Sequence, residues 1–279
     1  MPQVRLQRAT IEYRELGPVD SAHPPVLFVH GILVDHRLWL EVAEELARNG
    51  FRCILADWPL GSHTVPVDAG VELTPDGVAE MINEFMVAHD LNDVTLVGND
   101  TGGGLCQLLV DAHPDRVGRL VLTNCDAFDK FPPFPFDAVF AVLRGPRSIR
   151  TLMSLMRITA LRRSPLGFGL LCRGRDELTR AWVEPSIQDP RIARNLAALL
   201  RAVAKADLTD VATRLPRFTK PVTVVWGQRD RCFTPSLGRR LAALFPHGAL
   251  IEVPDARTFV ALDAPRAVVD AIATVGART

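Results

Sequence analysis

An aspartate enclosed by glycines is the residue best placed to do chemistry. In "VTLVGNDTGGG", residues 94–104, an apolar run ends on Gly98-Asn99-Asp100-Thr101-Gly102. A carboxylate needs no base to ionise at neutral pH, because aspartate ordinarily titrates near ~4. It can displace a leaving group from saturated carbon and form an ester. Water must then attack that ester, a step that calls for a general base. The pattern predicts a buried strand, a tight turn presenting Asp100, and a helix starting at the turn. That helix offers backbone N–H groups and the positive end of its dipole to a negative charge. Gly98 and Gly102 let strand and helix approach closely.

The surrounding chain supplies elements that hold such a turn. "PVLFVH", "RCILAD", "VTLVG" and "RLVLTN" read as short buried strands, each followed by helix or loop. Thr74 and Pro75 mark a helix start, as N-cap and first helical residue. Alternating units of this kind predict a mostly parallel sheet covered on both faces, preceded by an antiparallel pair in "VRLQRA" and "IEYREL". From 127 to 215 the rhythm stops. "IRTLMSLMRITALRR" and "RIARNLAALLRAVAK" are helical, and the strand–helix pattern returns at "VTVVWG". The expected organisation is therefore a core of residues 1–126 and 216–279, interrupted by a helical cap at 127–215.

These segments resemble the α/β-hydrolase superfamily over almost the whole chain. Strand, G-x-nucleophile-x-G and helix form that family's nucleophile elbow. "HGILVDHRLW" from His30 resembles its oxyanion loop. "VVWGQRDRCFTP" resembles the segment that carries the catalytic acid, at Asp230. The resemblance implies an eight-stranded, mostly parallel sheet flanked by helices. It also implies an oxyanion hole from the N–H groups of Ile32 and Thr101, and a helical cap. An aspartate at the elbow is the pattern of the haloalkane dehalogenase and epoxide hydrolase branch. The usual Asp-x-Gly-His-Phe after the last strand reads Asp255-Ala-Arg-Thr-Phe, so Thr258 stands where the base belongs. Threonine has no basic group near neutral pH.

His63 and His36 follow strand C-termini, where ligands bind in open α/β sheets, and are the candidates for a relocated base. His30, Trp39, Trp58, Asn99, Asp126, Trp182 and Phe259 are the candidate substrate-binding residues. Phe131, Phe134, Phe136 and the stripe "LMSLM" would supply an apolar wall. Between Arg144 and Arg175 lie eight arginines and no acid, read as a solvated face or as a basic rim.

The 279 residues carry a formal net charge of zero, which argues against a nucleic-acid partner. No apolar run is long enough to span a bilayer, and the N-terminal stretch lacks a signal-peptide core. Five cysteines without a CxxC pair point to reduced thiols in the cytoplasm and not to a metal site. The expected partner is a small hydrophobic or aromatic substrate, with no cofactor. The assembly state is left open, a dimer being one option. The function expected from the resemblance is hydrolysis of an ester, epoxide or carbon–halogen bond through Asp100. A lyase, isomerase or cyclase, or a ligand-binding homologue, are the alternatives.

Overall fold

The computed structural model describes residues 1–275 except 130, 132 and 144, with only the backbone at 141 and 142. Short strands β1 (Gln3–Arg5) and β2 (Thr10–Leu16) pair antiparallel at one edge of the sheet. Then come β3 (Val26–Val29), α1 (Leu40–Arg48), β4 (Cys53–Ala56), α2 (Pro75–Ala88), β5 (Val94–Asp100), α3 (Thr101–Ala112) and β6 (Val117–Cys125). Six helices follow: α4 (Phe136–Val142), α5 (Pro146–Leu155), α6 (Thr159–Arg162), α7 (Asp176–Gln188), α8 (Pro190–Val203) and α9 (Thr209–Arg214). The chain ends in β7 (Val222–Gly227), α10 (Pro235–Ala242), β8 (Gly248–Val253), α11 (Val260–Asp263) and α12 (Pro265–Thr274). The eight strands form one sheet in the order β1-β2-β4-β3-β5-β6-β7-β8, parallel from β4 onwards.

The local signals explain these boundaries. Thr74 accepts a hydrogen bond from the Gly77 N–H and Pro75 opens α2, so an orphan donor at the helix start is satisfied. Strands β3, β4 and β7 are buried along their whole length because helices cover both faces. Between β6 and β7 the described residues contain no strand, and α5, α7 and α8 pack on one another.

Strand β5 lies at the centre and ends on Asp100, whose φ of 53° and ψ of −134° lie outside the regions that side-chain-bearing residues favour. Such a conformation costs roughly 1–3 kcal/mol and persists only where its surroundings enforce it. Gly102 is part of that enforcement. A Cβ there would collide with the carbonyl oxygens of Val29 and His30 at the end of β3. Gly102→Ala should therefore destabilise the fold by roughly 1–3 kcal/mol, the usual cost of overpacking. A urea midpoint unchanged from the parent would show that β3 and α3 are not held this closely.

Candidate active site

The Asp100 side chain points into a cavity between the elbow and the helical insertion. Ile32, Leu33 and Thr101 line it from the sheet side; Phe136, Phe140, Met153, Met156, Phe168 and Leu171 are among the residues lining it from the insertion. Asp100 keeps some exposure, and that exposure is to the cavity. Its acidic group is the only charged one among the described lining residues. The cavity measures about 60 Å³. An apolar cavity of roughly 150 Å³ is known to admit benzene, so only a few atoms fit unless side chains of the insertion move aside.

The carboxyl is turned back toward the loop after β3. A Cβ on Gly31 would collide with Asp100 Oδ2, so only glycine leaves room for it. The backbone N–H groups of Ile32 and Thr101 face the carboxyl and favour its charged form. Burial works against them and is the larger effect. Together with the negative charge of Asp230 it pushes Asp100 up to about 7.

Asp230 follows β7 and is firmly held. Its Oδ1 accepts from the N–H groups of Cys232 (2.7 Å) and Phe233 (3.0 Å). Its Oδ2 accepts from Asn124 Nδ2 and from the Thr258 hydroxyl, both at 2.8 Å. Burial nevertheless pushes it up to about 6. Thr258 is wholly buried and its carbonyl accepts from Asn99 Nδ2 at 2.8 Å. Where an acid would orient a histidine, Asp230 thus engages a threonine hydroxyl, and Thr258 does not line the cavity. Asp126 is the third acid. It is fully buried, and neither carboxyl oxygen has a hydrogen-bond partner of normal geometry. Burial, reinforced by Asp100, holds it well above the usual carboxylate range, with only the neighbouring Thr101 hydroxyl acting in the opposite sense.

The histidines considered as relocated bases sit elsewhere. Neither His63 nor His36 lines the cavity. His63 Nδ1 accepts from the Gly61 N–H at 3.2 Å and Nε2 faces Asn195 Oδ1 at 3.4 Å. Burial brings its pKa down to about 4, so it is a neutral brace between the β4–α2 loop and α8. His36 pairs through Nδ1 with Asp57 at 2.9 Å. Burial lowers its basicity, but the Asp57 hydrogen bond and charge more than offset that and leave it raised. Asp35, His36 and Asp57 are close enough to hold a metal ion among the described residues. Their polar atoms are already committed: Asp35 to Trp182 Nε1 at 2.9 Å and to Arg37, and His36 to Asp57.

The proposed binding residues also need correction, for none of His30, Trp39, Trp58, Asn99, Asp126, Trp182 and Phe259 lines the cavity. Their side chains turn into the core. His30 braces its loop, with Nδ1–H donating to the Gly31 carbonyl and Nε2 accepting from the Trp58 N–H, both at 2.9 Å. Trp58 Nε1 donates to the Phe28 carbonyl, and Trp182 packs edge-on against Phe259. Trp39 is buried against Phe28. Asn99 ties the strand ends together through Thr123 and Thr258. Of the expected apolar wall, Phe136, Leu152, Met153 and Met156 line the cavity, whereas Phe131 and Phe134 do not, Phe134 being exposed.

Four of the eight arginines between 144 and 175, namely Arg157, Arg162, Arg163 and Arg175, have acidic partners among the described residues. Arg157 pairs with Glu184, Arg163 with Asp176, and Arg175 with Glu41. Arg162 is buried on the carbonyls of Met156 and Arg157. Arg144 lies outside the described residues.

The fold agrees with comparison to known proteins. Haloalkane dehalogenase 2 of Mycobacterium tuberculosis (strain ATCC 25618 / H37Rv) is 28% identical over 258 residues, which cover 91% of this chain and 88% of that protein. The 2-hydroxy-6-oxononadienedioate/2-hydroxy-6-oxononatrienedioate hydrolase of Cupriavidus pinatubonensis is 28% identical over 213 residues, 74% of this chain and 70% of its own. Among solved structures, the enol-lactonase from Burkholderia xenovorans LB400 superposes with a TM-score of 0.74 at 18% identity, covering 98% of this chain and 99% of that one. A thermophilic esterase from Thermogutta terrifontis gives 0.73 at 23% identity, covering 98% and 97%. The family model for the alpha/beta hydrolase fold matches residues 24–265, from the start of β3 to the start of α12, so the chain belongs to the α/β-hydrolase fold family.

Proposed function

We propose that this chain is a hydrolase of small apolar molecules that reacts through Asp100, with the helical insertion as cap and the N–H groups of Ile32 and Thr101 as oxyanion hole. The observation that carries the reading is a carboxyl on a strained turn at the sheet end of an apolar cavity, facing those two N–H groups. In its ionised form Asp100 attacks an electrophilic carbon, forming an ester while a halide or epoxide oxygen departs. Water then adds to the ester carbonyl, releasing an alcohol and regenerating the carboxylate. The two N–H groups would stabilise the oxyanion of that second step. With Thr258 at the histidine position and no imidazole lining the cavity, the second step is the slow one.

The test is intact-protein mass after exposure to short alkyl halides and epoxides, with product assays alongside. The expected result is a persistent adduct that maps to Asp100. Absence of both adduct and product across the panel overturns the reading.

A second reading has its own support. A carboxyl pushed up to about 7 exists in both forms at neutral pH and suits proton transfer in an elimination, isomerisation or ring closure. Such a reaction gives turnover with no adduct at any time.

In either case His63 is structural. His63→Ala should leave turnover within about twofold of the parent while costing about 1–2 kcal/mol of stability from the lost Gly61 contact and cavity. A loss of turnover at full stability would restore His63 as the base.

The proposal includes a cytoplasmic setting. No helix among the described residues is long and apolar enough to cross a membrane.

A further inference from the structure

The electrostatics of the cavity indicate what kind of molecule it holds. Asp126 and Asp230 each lie within interaction range of Asp100, and among the described residues no arginine, lysine or histidine lines the cavity. The other ionisable groups that feel Asp100 are the thiols of Cys125 and Cys232, which burial keeps neutral. The two backbone donors at the sheet end already face the Asp100 carboxyl. Apart from the Thr101 hydroxyl, the lining therefore presents a ligand with an acceptor that carries negative charge, and with no free donor. Around it stand Phe136, Phe140 and Phe168 and the sulfurs of Met153 and Met156. Aromatic faces attract organic cations as well as hydrocarbon. Burying a carboxylate without a counter-charge is costly, and a cation supplied by the ligand would remove that cost.

We propose that this cavity binds compact apolar amines as ligands that compete with its substrate, the ammonium group sitting against the Asp100 carboxylate and the hydrocarbon part lying between the aromatic and methionine side chains of the insertion. The proposal rests on the reading that this cavity takes the substrate. It requires no covalent step, so it stands or falls separately from adduct formation.

An ammonium ion competes with the proton for Asp100. Affinity should therefore rise as Asp100 ionises and fall again when the amine loses its own proton near ~10. Asp230, ionised at pH 8.5, reinforces the preference by adding negative potential.

The experiment is calorimetric titration of the full chain with n-butylamine and n-hexylamine, beside 1-butanol, 1-hexanol, butyrate and hexanoate. At pH 8.5 each amine should bind at least tenfold more tightly than the alcohol of equal length, and the carboxylates more weakly still. At pH 5 the advantage over the alcohol should shrink to less than about twofold, because Asp100 is then protonated. Asp100→Asn should lose the preference at pH 8.5 while still binding the alcohols. If that variant fails to fold, the pH dependence in the parent carries the test. Equal affinity for amine and alcohol at pH 8.5 overturns the proposal, as do a preference unchanged at pH 5 and the failure of both amines to bind.

Discussion

Asp100→Asn should abolish the chemistry and at the same time make the protein more stable above neutral pH. Removing a covalent nucleophile or essential base typically costs at least roughly 10⁴-fold in turnover. The stability gain follows from where the carboxyl is held. An unfolded aspartate titrates near ~4, whereas burial and the charge of Asp230 push Asp100 up to about 7. Between these values the unfolded chain has released its proton and the native chain has not. Stability therefore falls as pH rises from about 4 to about 7, by roughly 4 kcal/mol at ~1.4 kcal/mol per pKa unit. Below pH 4 the group is neutral in both states and contributes nothing. Asparagine never ionises, so the variant escapes the penalty. Its melting temperature should exceed the parent's at pH 8 and match it at pH 4. Adduct formation in the parent should move the other way, rising with pH through about 7 as the nucleophilic form accumulates. Melting curves at the two pH values and the pH profile of adduct formation check both. A variant less stable than the parent at pH 8 would mean that Asp100 contributes favourable contacts in its charged form.

The two effects express one arrangement: a reactive carboxylate kept in a site that does not solvate it well. Much of this was legible in the residue order. Gly98 and Gly102 specify the turn around Asp100 because only glycine leaves β3, β5 and α3 so close. The segment around Asp230 and the threonine at the histidine position could both be read from the sequence, but the hydrogen bond that joins Thr258 to Asp230 could not. The cavity lining was harder to read. Trp39 and Trp58 follow strand ends and Trp182 lies in α7, but their large faces are accommodated in the core, where the ring N–H groups of Trp58 and Trp182 find acceptors. The cavity is instead built by the insertion, whose packing depends on contacts among α5, α7 and α8 that no local pattern displays. His63 illustrates the same limit. Its position after β4 suggested access to the ligand, but Asn195 on α8, 132 residues away, holds its ring elsewhere. Gly31 was overlooked beside the more conspicuous His30. The His-Gly pair was the available signal, and its meaning appears only when the Asp100 carboxyl is seen against it.

Thr258→His should convert a slow or arrested second step into turnover. Thr258 is wholly buried, and its hydroxyl donates to Asp230 Oδ2 at 2.8 Å. An imidazole at the same Cα would direct one ring nitrogen to that oxygen. Asp230 would fix the tautomer, leaving the other nitrogen unprotonated and able to act as a base. Asp230 stays suited to this role, because the N–H groups of Cys232 and Phe233 and the amide of Asn124 hold it in place independently of Thr258. General-base assistance is worth about 10²–10⁴-fold, so an ester on Asp100 should clear faster by that factor. The larger ring must displace neighbours, and about 1–3 kcal/mol of stability should be lost. A melting curve separates that cost from the catalytic gain. The decisive comparison is adduct lifetime by intact mass in Thr258→His and in the double variant Thr258→His with Asp230→Asn. A histidine acting as base needs Asp230 to orient it, so the gain should largely vanish in the double variant. An unchanged lifetime in a folded Thr258→His protein would mean that no base is missing from the ester pathway. Asp100 would then serve as an acid–base group, and the threonine at 258 would be a working part of a different reaction.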